Sequence, residues 1–183
     1  MLLKDYINCY HGTIKVHSEY ITLNGITFNK SRYATDFGKG FYLTNNESQA
    51  IDWAKRKSKH HFGNGSTDDA TPVIIHFNID ITKLGKLKHC FFEEPNLDWS
   101  NFILECRKKG LEVGLYHDFH FVLGSLADGK IMPLVRRAIG GRINNMEFLD
   151  GIRPTSSANT QLSLHTDAAL KCITLMEVRE IEV

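Results

Sequence analysis

Hydrophobic and polar positions alternate with two different periods along the chain, and the switches between them mark the predicted elements. Tyr6 to Tyr10 (YINCY) is rich in β-formers and stops at His11-Gly12, which predicts a short strand ending in a turn. Gly40 to Leu43 predicts a second strand. Thr44-Asn45-Asn46-Glu47 follows with the spacing of a capping box, so a helix is expected to start there. Along it Ala50, Ile51 and Ala54 recur at helical spacing, while Lys55, Arg56, Lys57 and Lys59 read as a solvated face, and the end is expected near His61. Gly63 to Ala70 (GNGSTDDA) is small and polar, the composition of a mobile loop.

Val73, Ile75, Phe77 and Ile79 alternate with other residues in PVIIHFNI, the pattern of a half-buried strand. Asp98 is expected to cap a helix whose stripe is Trp99, Phe102, Ile103 and Cys106 and which closes at Gly110. Asp118 to Leu123 reads as a strand. A turn at Ala127-Asp128-Gly129 and a helix with Ile131, Leu134, Val135, Ala138 and Ile139 in register come next. Gln161 to His165 alternates like a strand, Thr166 caps a short helix through Leu170, and Ile173 to Val183 closes as a strand with interleaved charges. Strands and helices mix without a regular βαβ repeat, a linker or an internal repeat. One α+β domain over residues 1–183 with largely antiparallel sheet is therefore expected.

Composition narrows the class. At 183 residues, 42% hydrophobic and 23% charged, the chain has the make-up of a soluble globular domain. Its 22 basic and 21 acidic side chains leave a net charge of +1, so no global field draws it to nucleic acid or membrane. Cys9, Cys90, Cys106 and Cys172 are scattered without a CxxC pair and read as buried thiols in a reducing compartment. The apolar run in MLLKDYINCYHG is too short for a signal peptide, and no span of membrane length occurs, so a cytoplasmic location is expected.

Candidate chemistry concentrates in DFGKGFYLT, Asp36 to Thr44. Asp-Phe-Gly is a kinase signature, yet the glycine-rich loop, strand lysine and catalytic loop that must accompany it are missing. Neither GxxxxGK[ST] nor GxGxxG occurs, which removes the common phosphate cradles. What remains is that the glycines let backbone approach a ligand or a neighbouring strand, while Tyr42 faces opposite to Phe41 and Leu43. The pair His117 and His120 would point to opposite faces of a strand and lacks the HExxH spacing of a helical metal site.

Five blocks in order carry a resemblance: Tyr10-His11-Gly12-Thr13, Asp36 to Thr44 with Ser48 to Ala54 (SQAIDWA), Trp99 to Arg107, His117 to Asp128, and Asn159 to Thr166. Together they resemble a prokaryotic branch of the ADP-ribosyltransferase superfamily over nearly the whole chain. The resemblance implies split antiparallel sheets around an NAD cleft with flanking helices, and a His-Tyr-Glu-like signature with glutamine in the third place. It implies that His11 bonds the adenosine ribose, that the Gly12 backbone holds the nicotinamide carboxamide, and that Thr13 and Gly40 complete the NAD contacts. Tyr42 would stack on the nicotinamide, a cation while attached. Gln161 would bond the nicotinamide ribose without the charge of a glutamate. Asp36 or Asp128 could supply that charge, and Arg32 could hold the pyrophosphate.

The implied reaction uses NAD as substrate, needs no metal, and passes ADP-ribose to a protein or nucleic-acid acceptor. Similar proteins are often toxins restrained by an antitoxin or parts of phage-defence systems. An NAD glycohydrolase and a weakly catalytic NAD or ADP-ribose binder are the alternatives. Each residue also has a plain structural role open to it: His11 as the end of a strand, Tyr42 as half-buried strand filling, Gln161 as a solvent-facing strand residue, Arg32 and Asp36 as a surface pair.

Overall fold

The computed structural model describes residues 2–63, 68–156 and 158–182. Strands β1 (Asn8–Ile14), β3 (Pro72–Ile79) and β7 (Ile173–Glu180) form an antiparallel sheet with β3 at its centre. Strands β2 (Phe41–Leu43), β6 (Thr160–Leu164), β5 (Phe121–Ser125) and β4 (His89–Phe91) form a second sheet in that spatial order. All its pairs are antiparallel except β4 with β5, which run parallel. The helices are α1 (Lys15–Asn24), α2 (Glu47–Gly63), α3 (Ile81–Leu84), α4 (Leu97–Leu111), α5 (Ile131–Ile139), α6 (Asn145–Ile152) and α7 (Asp167–Leu170). Helix α4 is the crossover that a parallel β4–β5 pair requires, and it is why the second sheet is not wholly antiparallel.

Two apolar cores lie on the two faces of the second sheet. The first is shared with the three-stranded sheet: Val73, Ile75 and Phe77 meet Phe41, Leu43, Phe121, Leu123, Leu162 and Leu164, and the Phe41 and Phe77 rings meet edge to face at 5.6 Å. The second packs Val122 and Phe37 under α4, α5 and α6 through Trp99, Ile103, Val135, Phe148 and Ile152. Ile74 is buried too, because α2 covers the outer face of β3. PVIIHFNI is thus a central strand covered on both sides, where a half-buried one was expected.

Other departures have local causes. Strand β1 does not stop at His11-Gly12 but runs through them to Ile14. Gly12 marks a close approach: a Cβ there would lie 2.0 Å from the Ala50 carbonyl oxygen of α2. Ala50 and Ala54, both buried, let the helix lie that close. Thr44 does not cap α2; Asn46 Oδ1 accepts from Gln49 N–H at 3.3 Å, while Thr44 Oγ1 accepts from Asn46 N–H at 3.1 Å. Asn96, not Asp98, caps α4, accepting from Trp99 N–H at 3.0 Å and leaving Asp98 in the first turn. Strand β5 begins at Phe121, after the predicted start at Asp118. Helices α1 and α6 escape the periodicity reading; α1 buries only Ser18 fully, so no apolar stripe announces it. Residues 64–67 of the expected loop and position 183 of the last strand lie outside the described residues.

Gly12→Ala is expected to lower stability by about 1–3 kcal/mol through overpacking against the α2 backbone. Urea denaturation of the variant checks it, and an unchanged midpoint would mean that α2 is not seated on β1.

Candidate functional site

Two backbone hydrogen bonds between Tyr10 and Thr44, of 2.7 and 3.0 Å, join the sheets edge to edge. One residue on, His11 Nδ1 donates to the Tyr42 carbonyl oxygen at 2.8 Å, since a carbonyl only accepts. The imidazole stacks on Phe41 with 4.5 Å between centroids. Burial, and next the charge of Lys57, lower the His11 pKa to about 4, so the ring is neutral at pH 7 and Nε2 is an acceptor.

Alternation along β2 puts the Tyr42 ring on the other side from Phe41. Its hydroxyl donates to the Gly38 carbonyl at 2.7 Å, accepts from Phe37 N–H at 3.0 Å and lies 2.9 Å from Thr35 Oγ1. The 35–40 loop is thereby wrapped around the phenol. Gly38, with φ of 80°, makes the turn that this needs. Gly40 serves a close approach, since a Cβ there would lie 2.8 Å from His165 Nδ1 and the Leu164 carbonyl oxygen. The glycine pair thus admits a turn and a neighbouring strand. His117 Nε2 donates to the Phe37 carbonyl at 2.8 Å and His165 Nδ1 to the Lys39 carbonyl at 2.9 Å, pinning the loop from outside.

Gln161 reaches the same loop from β6. Tyr42 pairs with Ser163, so Gln161, two residues along, shares the Tyr42 face. Its Nε2 donates to Asp36 Oδ2 at 2.9 Å. The other carboxylate oxygen, Oδ1, accepts from Arg107 Nε at 3.0 Å and Nη2 at 2.6 Å, and Arg107 Nη1 donates to the Ala34 carbonyl at 3.2 Å. Asp36 is 5% and Gln161 6% exposed, so this is a buried charged network fed by one arginine from α4. Only the N–H end of an amide can face a carboxylate. Gln161 Oε1 therefore points away from Asp36 and makes no hydrogen bond to the described residues.

The other candidates divide. Thr13 is buried, and its Oγ1 accepts from Lys57 Nζ at 3.0 Å. Arg32 is exposed, with its charge felt at Lys57. Asp128 is exposed and takes other partners: its carboxylate accepts from Thr155 Oγ1 and Gly129 N–H, both at 2.7 Å, which hold its pKa below the usual carboxylate value. Of the two proposed carboxylates, Asp36 is the one in contact with Gln161.

Lys57 was expected on a solvated face, yet it turns inward because positions 50, 54 and 57 form the stripe of α2 that faces β1. Burial and then Arg32 lower its pKa to about 8. Burial, and next Lys57, lower that of His17 to about 4. Among the described residues no carboxylate pairs with Lys57, and residues 64–67 contain none. The charges of Lys57 and Arg32 thus make an electropositive corner beside β1, next to the neutral His11 and His17. Arg107 was legible only as the last residue of a helix block, because nothing local shows that its partner is Asp36.

Two cavities open elsewhere. One of ≈ 250 Å³ lies beside Tyr10, His76 and Arg179, and one of ≈ 520 Å³ beside Phe92, Asn101, Phe102, Tyr116 and His117. Neither is lined by His11, Tyr42 or Gln161. Among the described residues no group of His, Cys, Asp and Glu is arranged to hold a metal ion, and no helix is long and apolar enough to cross a membrane.

With this geometry in hand, the chain belongs to the family described as a protein of unknown function (DUF3990), whose model matches residues 7–175. No curated protein and no solved structure matches it.

His11 and His165, whose pKa values burial pushes to about 4, resist protonation when folded and accept it readily when unfolded. The unfolded chain then binds more protons between pH 6.5 and 4, so stability falls as pH drops through that window. Melting temperature measured across pH checks this; a flat profile from pH 6.5 to 4 would show that neither imidazole is sequestered.

Proposed function

We propose that the chain is an NAD-dependent mono-ADP-ribosyltransferase that releases nicotinamide and passes ADP-ribose to a protein or nucleic-acid acceptor. The observation that carries this reading is that strands far apart in sequence bring the three residues to one sheet junction: His11 bonds the Tyr42 carbonyl, and Gln161 shares the Tyr42 face of the neighbouring strand. The order of the blocks and their resemblance to ADP-ribosyltransferases support it. A cytoplasmic toxin held in check by an antitoxin is the setting that the resemblance suggests.

Each side chain then has a task that its geometry allows. His11 Nε2, neutral, accepts from an adenosine ribose hydroxyl. The half-buried Tyr42 ring offers an aromatic face to the cationic nicotinamide. Gln161 Oε1 accepts from a hydroxyl of the nicotinamide ribose. Lys57 and Arg32, cations without a carboxylate partner at Lys57, face the pyrophosphate. The bond from the ribose carbon to the nicotinamide nitrogen breaks, and its electron pair leaves with neutral nicotinamide. A lone pair of the acceptor captures the oxocarbenium-like carbon and the acceptor's proton passes to solvent. Positioning and electrostatics supply the catalysis.

Labelled NAD incubated with the chain and a cell extract is expected to yield free nicotinamide and a labelled macromolecule, with both signals lost in His11→Ala and Tyr42→Ala. Nicotinamide release without label would replace transfer by hydrolysis, and no release together with no NAD-induced melting shift would sink both. An NAD concentration a hundred times the dissociation constant should add about 2.7 kcal/mol of stability. Lys57→Gln is expected to weaken NAD binding roughly tenfold, the scale of one charged hydrogen bond. An unchanged dissociation constant would remove Lys57 from the site.

A further inference from the structure

We propose that Asp36 and Arg107 are positioning residues that turn Gln161 into the acceptor of a ribose hydroxyl, so that position 161 is a glutamine because its carboxylate has been moved to position 36. The inference rests on the transferase reading. Three facts of geometry carry it. Gln161 Nε2 donates to Asp36 Oδ2 at 2.9 Å, which fixes the amide with its oxygen outward. Arg107 grips only the other oxygen, Oδ1, through Nε and Nη2, leaving Oδ2 for the amide. Asp36 and Gln161 are almost completely buried, so water does not compete for these contacts.

The arrangement explains why a glutamate is excluded. A carboxylate at 161 would stand against Oδ2 of the Asp36 carboxylate, with the one arginine held on Oδ1, and two carboxylates in contact cannot both remain ionised. The amide avoids that conflict and still presents an oxygen where a glutamate would. Hydrogen bonding of its N–H end to an anion strengthens the oxygen at the other end as an acceptor, since bonded groups polarise one another. Asp36 thus acts through Gln161 without touching the substrate.

Exchanging the two functional groups tests the idea. Gln161→Glu, Asp36→Asn and the double exchange are compared with the natural chain by melting temperature at pH 5 and 8 and by kcat and KM for NAD turnover. Gln161→Glu is expected to melt lower at pH 8 than at pH 5 relative to the natural chain, because the crowded carboxylates must share a proton. Asp36→Asn is expected to lose roughly tenfold or more in kcat with little change in KM, as for an interaction used mainly in the transition state. The double exchange is expected to remove the added pH dependence and to restore turnover to at least the natural level.

Turnover in the natural chain with unchanged kcat in Asp36→Asn would overturn this inference and leave the transferase reading standing. A stably folded double exchange no more active than Gln161→Glu would overturn it equally. An inert natural chain beside an active double exchange would also overturn this inference, because the amide held by Asp36 would then fail to do what a carboxylate at 161 does. If the natural chain and the double exchange are both inert and NAD shifts neither melting temperature, the transferase reading fails and this inference falls with it.

Discussion

The structure hinges on the backbone pair between Tyr10 and Thr44, the bridge that joins the two sheets edge to edge. Two hydrogen bonds of this kind contribute only about 1 kcal/mol each. Their importance is geometric. They fix β1 beside β2, so that His11 meets the Tyr42 carbonyl, and they commit the Thr44 backbone, so that the helix cap passes to Asn46. From there α2 returns over β1 at Gly12, where only hydrogen fits. Its inward stripe then brings Lys57 to Thr13, and its Gln49 side chain donates to the Thr160 carbonyl on β6.

The second organising feature is charged and buried. Asp36, Arg107 and Gln161 come from the 35–40 loop, α4 and β6, and their hydrogen bonds clamp these three against one face of the second sheet. A buried ion pair adds little net stability over apolar packing, whereas removing one partner strands a charge at a cost of about 3–5 kcal/mol. Such a network therefore specifies an arrangement more than it strengthens the fold. It sits beside the Phe37 ring, which fills the space over Gly124, so the loop that holds Tyr42 is seated by an apolar plug and a polar clamp together. His117 and His165, neutral in their half-buried positions, close the same loop from the other side through the carbonyls of Phe37 and Lys39.

Glycines show how far local reasoning reaches. In the sequence Gly12 reads as a turn after a strand, and DFGKG as a ligand loop or a close approach. In the structure Gly38 alone of these takes a positive φ, while Gly12 and Gly40 are places where another backbone or ring comes within a Cβ's radius. A missing side chain looks the same in sequence whichever use is made of it. The distinction needs the neighbour, and the neighbours of Gly12 and Gly40 lie about 40 and 125 residues away in the chain.

By itself the sequence determined the α+β class, the segments β2, β3, β6, α5 and α7, and the apolar stripe of α4, because period and capping chemistry are local properties. It also marked His11, Tyr42, Gln161 and Asp36 as residues of interest. Only the tertiary structure decided that β1 runs through His11-Gly12, that β4 and β5 pair in parallel around α4, and that Lys57 leaves the basic run to face β1. It also chose Asp36 over Asp128 as the carboxylate in contact with Gln161 and supplied Arg107 as its partner. These outcomes turn on contacts across 32 to 125 residues, where burial and charge pairing override what each segment prefers alone.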